Sequence, residues 1–324
     1  TLERMALADT LGVDPDDLAD LREHFTTATY KGRTYEHLSA SRGGIERGTA
    51  IVDDSVVRGY PSIPRVLVLE TGLPAYFGGP LAVVEKLNGF NVRIASLDEP
   101  LAFTRGGYIC PYSTTKAREL LDLEAFFEAH PEKMLCTEFI GPENPYTAHD
   151  YPDVDSVEAR IFDIRDRESG TPMAVTDKRE LATEFDLPQP DLFGIYEPEE
   201  AVTAVREVID DLDERGREGV VMQSVDGLDL LKYTTGHQHR NDLAYAFSLP
   251  FDYGRDFSFS RLIREGFQAV EFEESTDALE ARAHQLGEAL LYPMVETIRD
   301  VRDDARVGER HTIRASPETV EKTL

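Results

Sequence analysis

Tryptophan is absent from this 324-residue chain, which has only seven lysines, two cysteines and five methionines. Two cysteines, Cys110 and Cys136, exclude a disulfide framework and a cysteine-built zinc site. That suits a reducing cytoplasm, where the protein is expected to reside. No stretch approaches the ~18 consecutive apolar residues of a membrane span, so no membrane partner is expected. The first residues, "TLERMALADTLGVDPDD", are acidic and lack the basic, apolar and small-residue blocks of a signal peptide. The sequence opens on Thr1, so the natural start is expected to differ.

Positive charge is also in short supply. Lysine and arginine total 34 against 62 acidic residues, a net charge of −28 and a pI of about 4.6. At ordinary ionic strength this balance argues against a nucleic-acid partner. Yet the acidity is spread along the whole chain, and arginine largely replaces lysine. The pattern fits multimolar salt, where the Debye length is ~3 Å, and predicts a halophilic archaeal source. In that solvent only the local charge of a site decides whether a polyanion binds.

With 41% hydrophobic residues the chain can bury a core, and its length allows one large or several ordinary domains. Residues 12–25 read as a short acidic helix, with Asp14 as N-cap and Leu18, Leu21 and Phe25 inward. The β-branched runs of 32–70 read as strands broken by Gly43, Gly44, Gly59 and prolines. "AVVEKLNGFNVRIA" reads as a strand, a turn at Asn88-Gly89 and a second strand, and "LAFTRGGYICPY" as another strand stopping at Pro111. A helix is predicted from "STTKARELLDLEAFFEAH", capped by Ser113 or a following threonine. "KMLCTEFIG" and "VEARIFDIRD" are strand-like. The clearest helix is "PEEAVTAVREVIDDLDERG", striped by Val202, Val205, Val208, Ile209 and Leu212 and stopped by Gly216. "REGVVMQSVDGLDLLKYTTG" predicts a hairpin turning at Asp226-Gly227. From about residue 250 a linker-like stretch leads into helices, the longest interrupted or kinked at Pro293.

Lys86 stands at the end of an apolar strand, before a sharp turn where a ligand can lie against the backbone. It reads either as a plain hairpin or surface lysine or as a nucleophile. An amine attacks only when neutral, and an ordinary lysine pays ~4–5 kcal/mol to be so at neutral pH. A dry pocket or a neighbouring cation must lower that cost. Glu138 in "LCTEFIG" and Glu218 in "REGVVM" sit among apolar residues and read as metal or hydroxyl ligands, or as partners of arginines. Lys232 in "LDLLKYTT" reads as a cation aimed at phosphate or as a snorkelling strand lysine. Arg93 and Arg105 suit phosphate or ribose contact, and Phe162 suits a base-stacking platform or a core position. His237 and His239 share a face if they lie on a strand, so a metal pair or polar rim residues are both open. A two-residue hairpin loop pairs Lys232 with Val221 and puts it on the opposite face from Glu218. A joint role for the two then needs a shifted register or a bulge.

In order, "EKLNGFNVR", "FTRGGYICPYST", "CTEFIGPENPY", "RIFDIRD", "EGVVM" and "LLKYTTGHQHRNDL" resemble the covalent nucleotidyltransferases, most closely the archaeal ATP-dependent RNA ligase family. The resemblance spans residues 85 to about 243. It implies an α+β fold: a nucleotidyltransferase, ATP-grasp-like ligase domain of antiparallel sheets with helices. The implied division is an N-terminal helix and β-rich region at 1–60, a catalytic domain at 61–249 and a helical dimerisation region at 250–324. It implies ATP with Mg²⁺ or Mn²⁺ as cofactors, RNA with 5′-phosphate and 3′-OH ends as partner, and a homodimer. By the same resemblance Lys86 carries AMP, Lys232 neutralises the α-phosphate, and Glu138 and Glu218 hold metal, Glu138 with a ribose contact as an alternative role. Phe162 stacks on adenine, Asn91 and Arg105 hold ribose and phosphate oxygens, and Glu85 and Gly89 flank the nucleotide. The family's last motif often has two lysines. Here Leu230 takes the first place, which leaves open which step depends on Lys232. An RNA guanylyltransferase using GTP and a non-catalytic RNA-end-binding protein of the same fold are the rival readings.

Overall fold

The computed structural model describes residues 2–146, 149, 151–248, 255–305 and 312–323. The chain opens with helices α1 (Leu2–Leu11) and α2 (Leu18–Arg22). The single helix expected over 12–25 is not formed. Residues 14–17 make a turn in which the Asp14 carboxylate accepts from the Asp16 amide, a local bond that competes with helix. Leu18 and Leu21 are buried as expected, while Phe25 opens a strand. Strands β1 (Phe25–Tyr30), β2 (Arg33–Leu38), β3 (Ala50–Val52) and β4 (Ser55–Val57) form an antiparallel sheet in sequence order; β2 to β4 fall within the stretch read as strands, and β1 lies before it.

"RVLVLE" departs from its strand-like reading, because α3 (Leu69–Tyr76) begins within it. Its Leu69 and Leu73 are buried against the next sheet. That sheet has the order β10-β5-β11-β12, with β5 Leu81–Lys86, β10 Leu192–Tyr196, β11 Gly219–Ser224 and β12 Leu230–Thr234. The other sheet has the order β7-β6-β8-β9, with β6 Phe90–Ser96, β7 Pro100–Thr104, β8 Lys133–Ile140 and β9 Glu158–Asp166. All pairings in both are antiparallel.

Each sheet is covered by helices on its outer face. On the first lie α3 and the strongly amphipathic α7 (Pro198–Glu214), whose Val202, Val205, Ile209 and Leu212 meet Leu81, Val83, Val220 and Met222. On the second lie α4 (Pro111–Leu120), α5 (Leu123–Ala129) and α6 (Val175–Glu184), packing Ala117, Phe126 and Ala182 against Val92, Leu135 and Ile161. The helix predicted from 113 is therefore two. Cys110 caps the first and Asp122 the second, each accepting from an amide three residues on. The sequence reading did not find α6 or β10.

The C-terminal part is α8 (Gly236–Ser248), α9 (Arg255–Glu271), α10 (Thr276–Arg302) and α11 (Pro317–Thr323). Part of the linker-like stretch is thus the regular helix α9, and its residues 249–254 lie outside the described residues. α10 runs through Pro293 as one helix. The Glu271 carboxylate of α9 accepts from the amides of Leu69 and Glu70, satisfying the otherwise unpaired N-terminus of α3. His237 and His239 lie on α8, not on a strand, so their two-residue spacing turns them to different faces. His239 is buried between Thr234 Oγ1 at 2.7 Å and Glu265 at 2.6 Å, while His237 Nε2 meets Asn241. They are not a metal pair.

Candidate active site

β5 and β6 are neighbours in sequence but not in a sheet. The Leu87–Gly89 turn carries the chain from one sheet to the other, so Lys86 is not a hairpin residue. Tyr151 Oη and the Gln238 side chain hold Asn88 at 2.6 and 2.8 Å. Gly89 has no room for a side chain, since a Cβ there would lie 2.2 Å from the Phe139 carbonyl oxygen. Between the inner faces of the two sheets lies a cleft of about 500 Å³.

Register decides which side chains enter it. Lys86 pairs with Gly219 and Val84 with Val221, and Val221 pairs with Lys232. By the two-residue period, Val84, Lys86, Val221, Gln223, Leu230 and Lys232 share the inner face, and all six line the cleft. From the facing sheet come Asn91, Glu138 and Phe162. Phe162 is the extra residue of a β-bulge, since Thr137 pairs with Ile161 and Cys136 with Asp163. The bulge keeps Ile161 and Ile164 in the outer core and lets Phe162 turn inward beside Val221.

The observed register, Lys232 with Val221, is the one that separates Lys232 from Glu218 by strand alternation. The separation is undone at Gly219. Its φ of +146° breaks the alternation just before β11, and a Cβ there would lie 2.2 Å from the Tyr233 carbonyl oxygen. Glu218 thereby reaches the inner face, with its carboxylate 2.7 Å from Lys86 Nζ.

The cleft is lined by the apolar Phe162, Val84, Val221, Pro190 and Ile63 and by the charged Lys86, Lys232, Arg105 and Glu138, with Val84, Val221 and Lys232 in one row across the sheet. Burial brings the Lys232 ammonium down to about 8, helped by Arg65 and Lys86 and opposed by Glu218. Burial pushes the Glu138 carboxyl up to about 7; Lys86 opposes the rise, and Glu218 adds to it as a like charge. Glu138 also accepts from the Gly89 amide at 3.1 Å. A divalent cation fits beside two such carboxylates. Among the described residues no cluster of three or more His, Cys, Asp or Glu side chains exists, so phosphate oxygens and water are available to complete its shell. Asn91 Oδ1 is buried without a hydrogen-bond partner among the described residues, an acceptor available to a hydroxyl in the cleft.

Two site residues stand differently from the sequence reading. Glu85 borders the cleft, but its carboxylate lies on the side of Arg217, 3.8 Å away, and burial raises its pKa. Arg93 is fully buried and donates to the carbonyls of Arg58, Gly48 and Thr104. It clasps the N-terminal sheet to β6 and β7 and contacts no cleft. Tyr60, Gln223 and Pro190 line the cleft and were not foreseen. Only Gln223 left a trace in the sequence, as the polar residue at the inward phase of an apolar strand.

Residues 79–234 match the RNA ligase family, and residues 245–324 match the family described as the ligase Pab1020 C-terminal region. An uncharacterized protein of Methanocaldococcus jannaschii, MJ0414, is 42% identical over 275 residues, 82% of this chain and 69% of the relative. A solved archaeal ATP-dependent RNA ligase superposes with a TM-score of 0.94 at 41% identity, covering 99% of this chain and 88% of that one. A putative ATP-dependent DNA ligase from Aquifex aeolicus superposes at 0.89 with 27% identity, covering 96% and 86%. With the cleft, the family matches and the full-length likeness taken together, the chain belongs to the archaeal ATP-dependent RNA ligase family.

Proposed function

We propose that the protein joins RNA ends through a lysyl-AMP intermediate on Lys86. The observation that carries this is the Lys86 amine in a cleft lined both by apolar residues and by Lys232, Arg105 and Glu138, with the Glu218 carboxylate 2.7 Å away. The apolar lining takes adenine, with Phe162 on its face. Asn91 accepts from the ribose, and Arg105 and Lys232 meet phosphate oxygens. Glu138 and Glu218 hold a divalent cation, Mg²⁺ or Mn²⁺, which when bound offsets the charge of the triphosphate.

Three displacements follow. The Lys86 nitrogen, having lost its proton, attacks the α-phosphorus; an N–P bond forms and pyrophosphate leaves. An RNA 5′-phosphate oxygen then attacks the same phosphorus, releasing the lysine and leaving an adenylated end. Finally the RNA 3′-OH attacks the 5′-phosphorus, AMP departs and the phosphodiester is sealed. The chain's part in each is placement and charge, because phosphoryl transfer asks for little else. In the resting site Glu218 holds the amine as an ion pair. A divalent cation held by Glu138 and Glu218 would compete with Lys86 for the Glu218 carboxylate and would supply positive charge beside the triphosphate, while Lys232 and Arg105 face its oxygens.

RNA phosphates meet local charge, not the net charge. Arg105 and Lys232 line the cleft and Arg65 bridges to Lys232 beside it, and none of the three has a carboxylate within ion-pair distance among the described residues. The functional division is 1–60, 61–249 and 250–324, and the last part pairs two copies. Its α10 is 27 residues long with no buried side chain, and it exposes Leu291, Tyr292, Ile298 and Val301. A second copy covers that surface, which light scattering after chromatography in concentrated salt tests through Ile298→Asp. The host cytoplasm is taken to be salt-rich.

The decisive experiment is incubation with α-labelled ATP or GTP, followed by denaturing electrophoresis. Covalent label from ATP and not GTP is expected, lost in Lys86→Ala, while that variant still seals RNA already adenylated. Label surviving in Lys86→Ala overturns the nucleophile. Label from GTP alone points to the guanylyltransferase chemistry.

A further inference from the structure

Gln223 is a polar side chain in the lining of the cleft, only 4% exposed. Its oxygen is fixed by chemistry as well as by geometry. The Lys178 ammonium, which can only donate, lies 2.9 Å from Gln223 Oε1. The same nitrogen donates to Asp163 Oδ1 at 2.9 Å and to the Phe162 carbonyl at 3.3 Å, so its three N–H groups are all used. Asp163 is wholly buried and is held a second time by Arg165 at 2.7 Å. The amide of Gln223 therefore cannot turn over without leaving a buried ammonium unpaired, a costly exchange. Its nitrogen keeps two N–H donors, and among the described residues the hydrogen bond made by this side chain is the one its oxygen accepts. It stands beside Phe162, whose bulged position is part of the same hydrogen-bonded cluster.

We infer that Gln223, locked by Lys178, reads the nucleobase: its amide N–H donates to a bare ring nitrogen of adenine. The inference rests on the assignment of the cleft to ATP. Adenine offers N1, N3 and N7 as acceptors. Guanine and hypoxanthine share N3 and N7 with adenine but carry a proton on N1, so the amide discriminates against them when it meets N1, the contact that comparison with ITP tests. Lys178 and Asp163 are positioning residues, since neither borders the base slot in the cleft.

The test measures covalent adenylate formation, comparing wild type with Gln223→Leu, for ATP and for its 1-deaza, 3-deaza and 7-deaza analogues. Loss of one neutral buried hydrogen bond predicts an increase in KM of about tenfold for Gln223→Leu with ATP. One deaza analogue should show the same increase with wild type and no further increase with Gln223→Leu. That equality also shows the variant to be folded. Gln223→Glu keeps the shape and leaves Lys178 paired, but presents acceptors only. It should lose more than Gln223→Leu with ATP and narrow the preference for ATP over ITP. Lys178→Met should raise KM for ATP while leaving kcat nearly unchanged. The inference is overturned if Gln223→Leu keeps KM for ATP within about twofold, or if all three analogues are penalised alike in both proteins. If wild type forms no adenylate from ATP at all, it is the ligase reading that fails.

Discussion

Lys86 Nζ and Glu218 Oε2 lie 2.7 Å apart across two paired strands, although strand alternation alone turns Glu218 away from Lys86. Gly219 makes the contact, by a backbone angle of +146° that side-chain-bearing residues rarely adopt. The proposed nucleophile thus has a built-in counter-ion.

Replacing that counter-ion separates holding from catalysis. Glu218→Gln should cut the rate of adenylate formation by about a hundredfold or more, because charge aimed at a phosphoryl transition state carries most of its catalysis. Thermal unfolding should move little, since the pair is partly open to solvent and such pairs contribute at most ~1 kcal/mol. Rapid-quench measurement of labelled enzyme gives the rate, and a calorimetric scan gives the stability.

Gly219→Ala should damage both. An added Cβ falls 2.2 Å from the Tyr233 carbonyl oxygen, and the strained backbone adds a cost of about 2 kcal/mol or more. Relief of that strain re-aims Glu218, so adenylation should fall as far as in Glu218→Gln. Denaturant unfolding beside the labelling assay checks the joint loss. A variant with wild-type stability and rate would show that Gly219 does not steer Glu218.

Lys232 sets an alkaline limit. Burial, then Arg65 and Lys86, lower its pKa from 10.5 to about 8, against the pull of Glu218. The side chain is charged below about 8 and neutral above it. kcat/KM for adenylate formation, which reports the free enzyme, should therefore fall as pH rises through about 8. Lys232→Arg stays charged throughout and should hold its rate further into alkali. The stability term has the opposite sense: with the folded value below the unfolded one, this group's contribution is complete above 10.5 and is lost as pH falls towards 8.

Arg93→Met should be a folding variant with an intact site. It leaves the buried carbonyls of Arg58 and Gly48 without their donor, while Thr104 keeps the Gly107 amide. A loss of about 3 kcal/mol or more is expected in denaturant unfolding. The folded fraction should still form adenylate with unchanged KM for ATP. A selective rise in that KM would return Arg93 to the nucleotide site.

Salt should be needed for the fold as a whole. With 62 acidic against 34 basic residues, self-repulsion is screened only when the Debye length is a few ångströms. The melting temperature should rise by about 10 °C or more between about 0.2 M and about 3 M KCl. Full stability in dilute buffer would remove the halophilic reading and leave the chemistry untouched.

Much of the site was legible because its residues sit on short, strongly patterned strands. The apolar runs around Lys86, Glu138 and Lys232 marked inward positions, and the longer strings around them carried the family resemblance. α7 was legible for the same reason, its stripe being set by a local period. Less was legible where a local signal had rivals. A cap at Asp122 divided one predicted helix, and a turn around Asp14 shortened another.

By itself the sequence determined the chemistry available: which strands carry a lysine or a glutamate, how acidic the solvent-facing chain is, and which family it joins. Tertiary structure decided what those groups face. It sent β5 and β6 into different sheets, bulged Phe162 into the cleft, turned Glu218 about Gly219 and removed Arg93 to a buried clasp. The physical reason is range. Side-chain identity and periodicity are local, whereas the partner that fixes a strand's register lies far along the chain, as Gly219 does at 133 residues from Lys86.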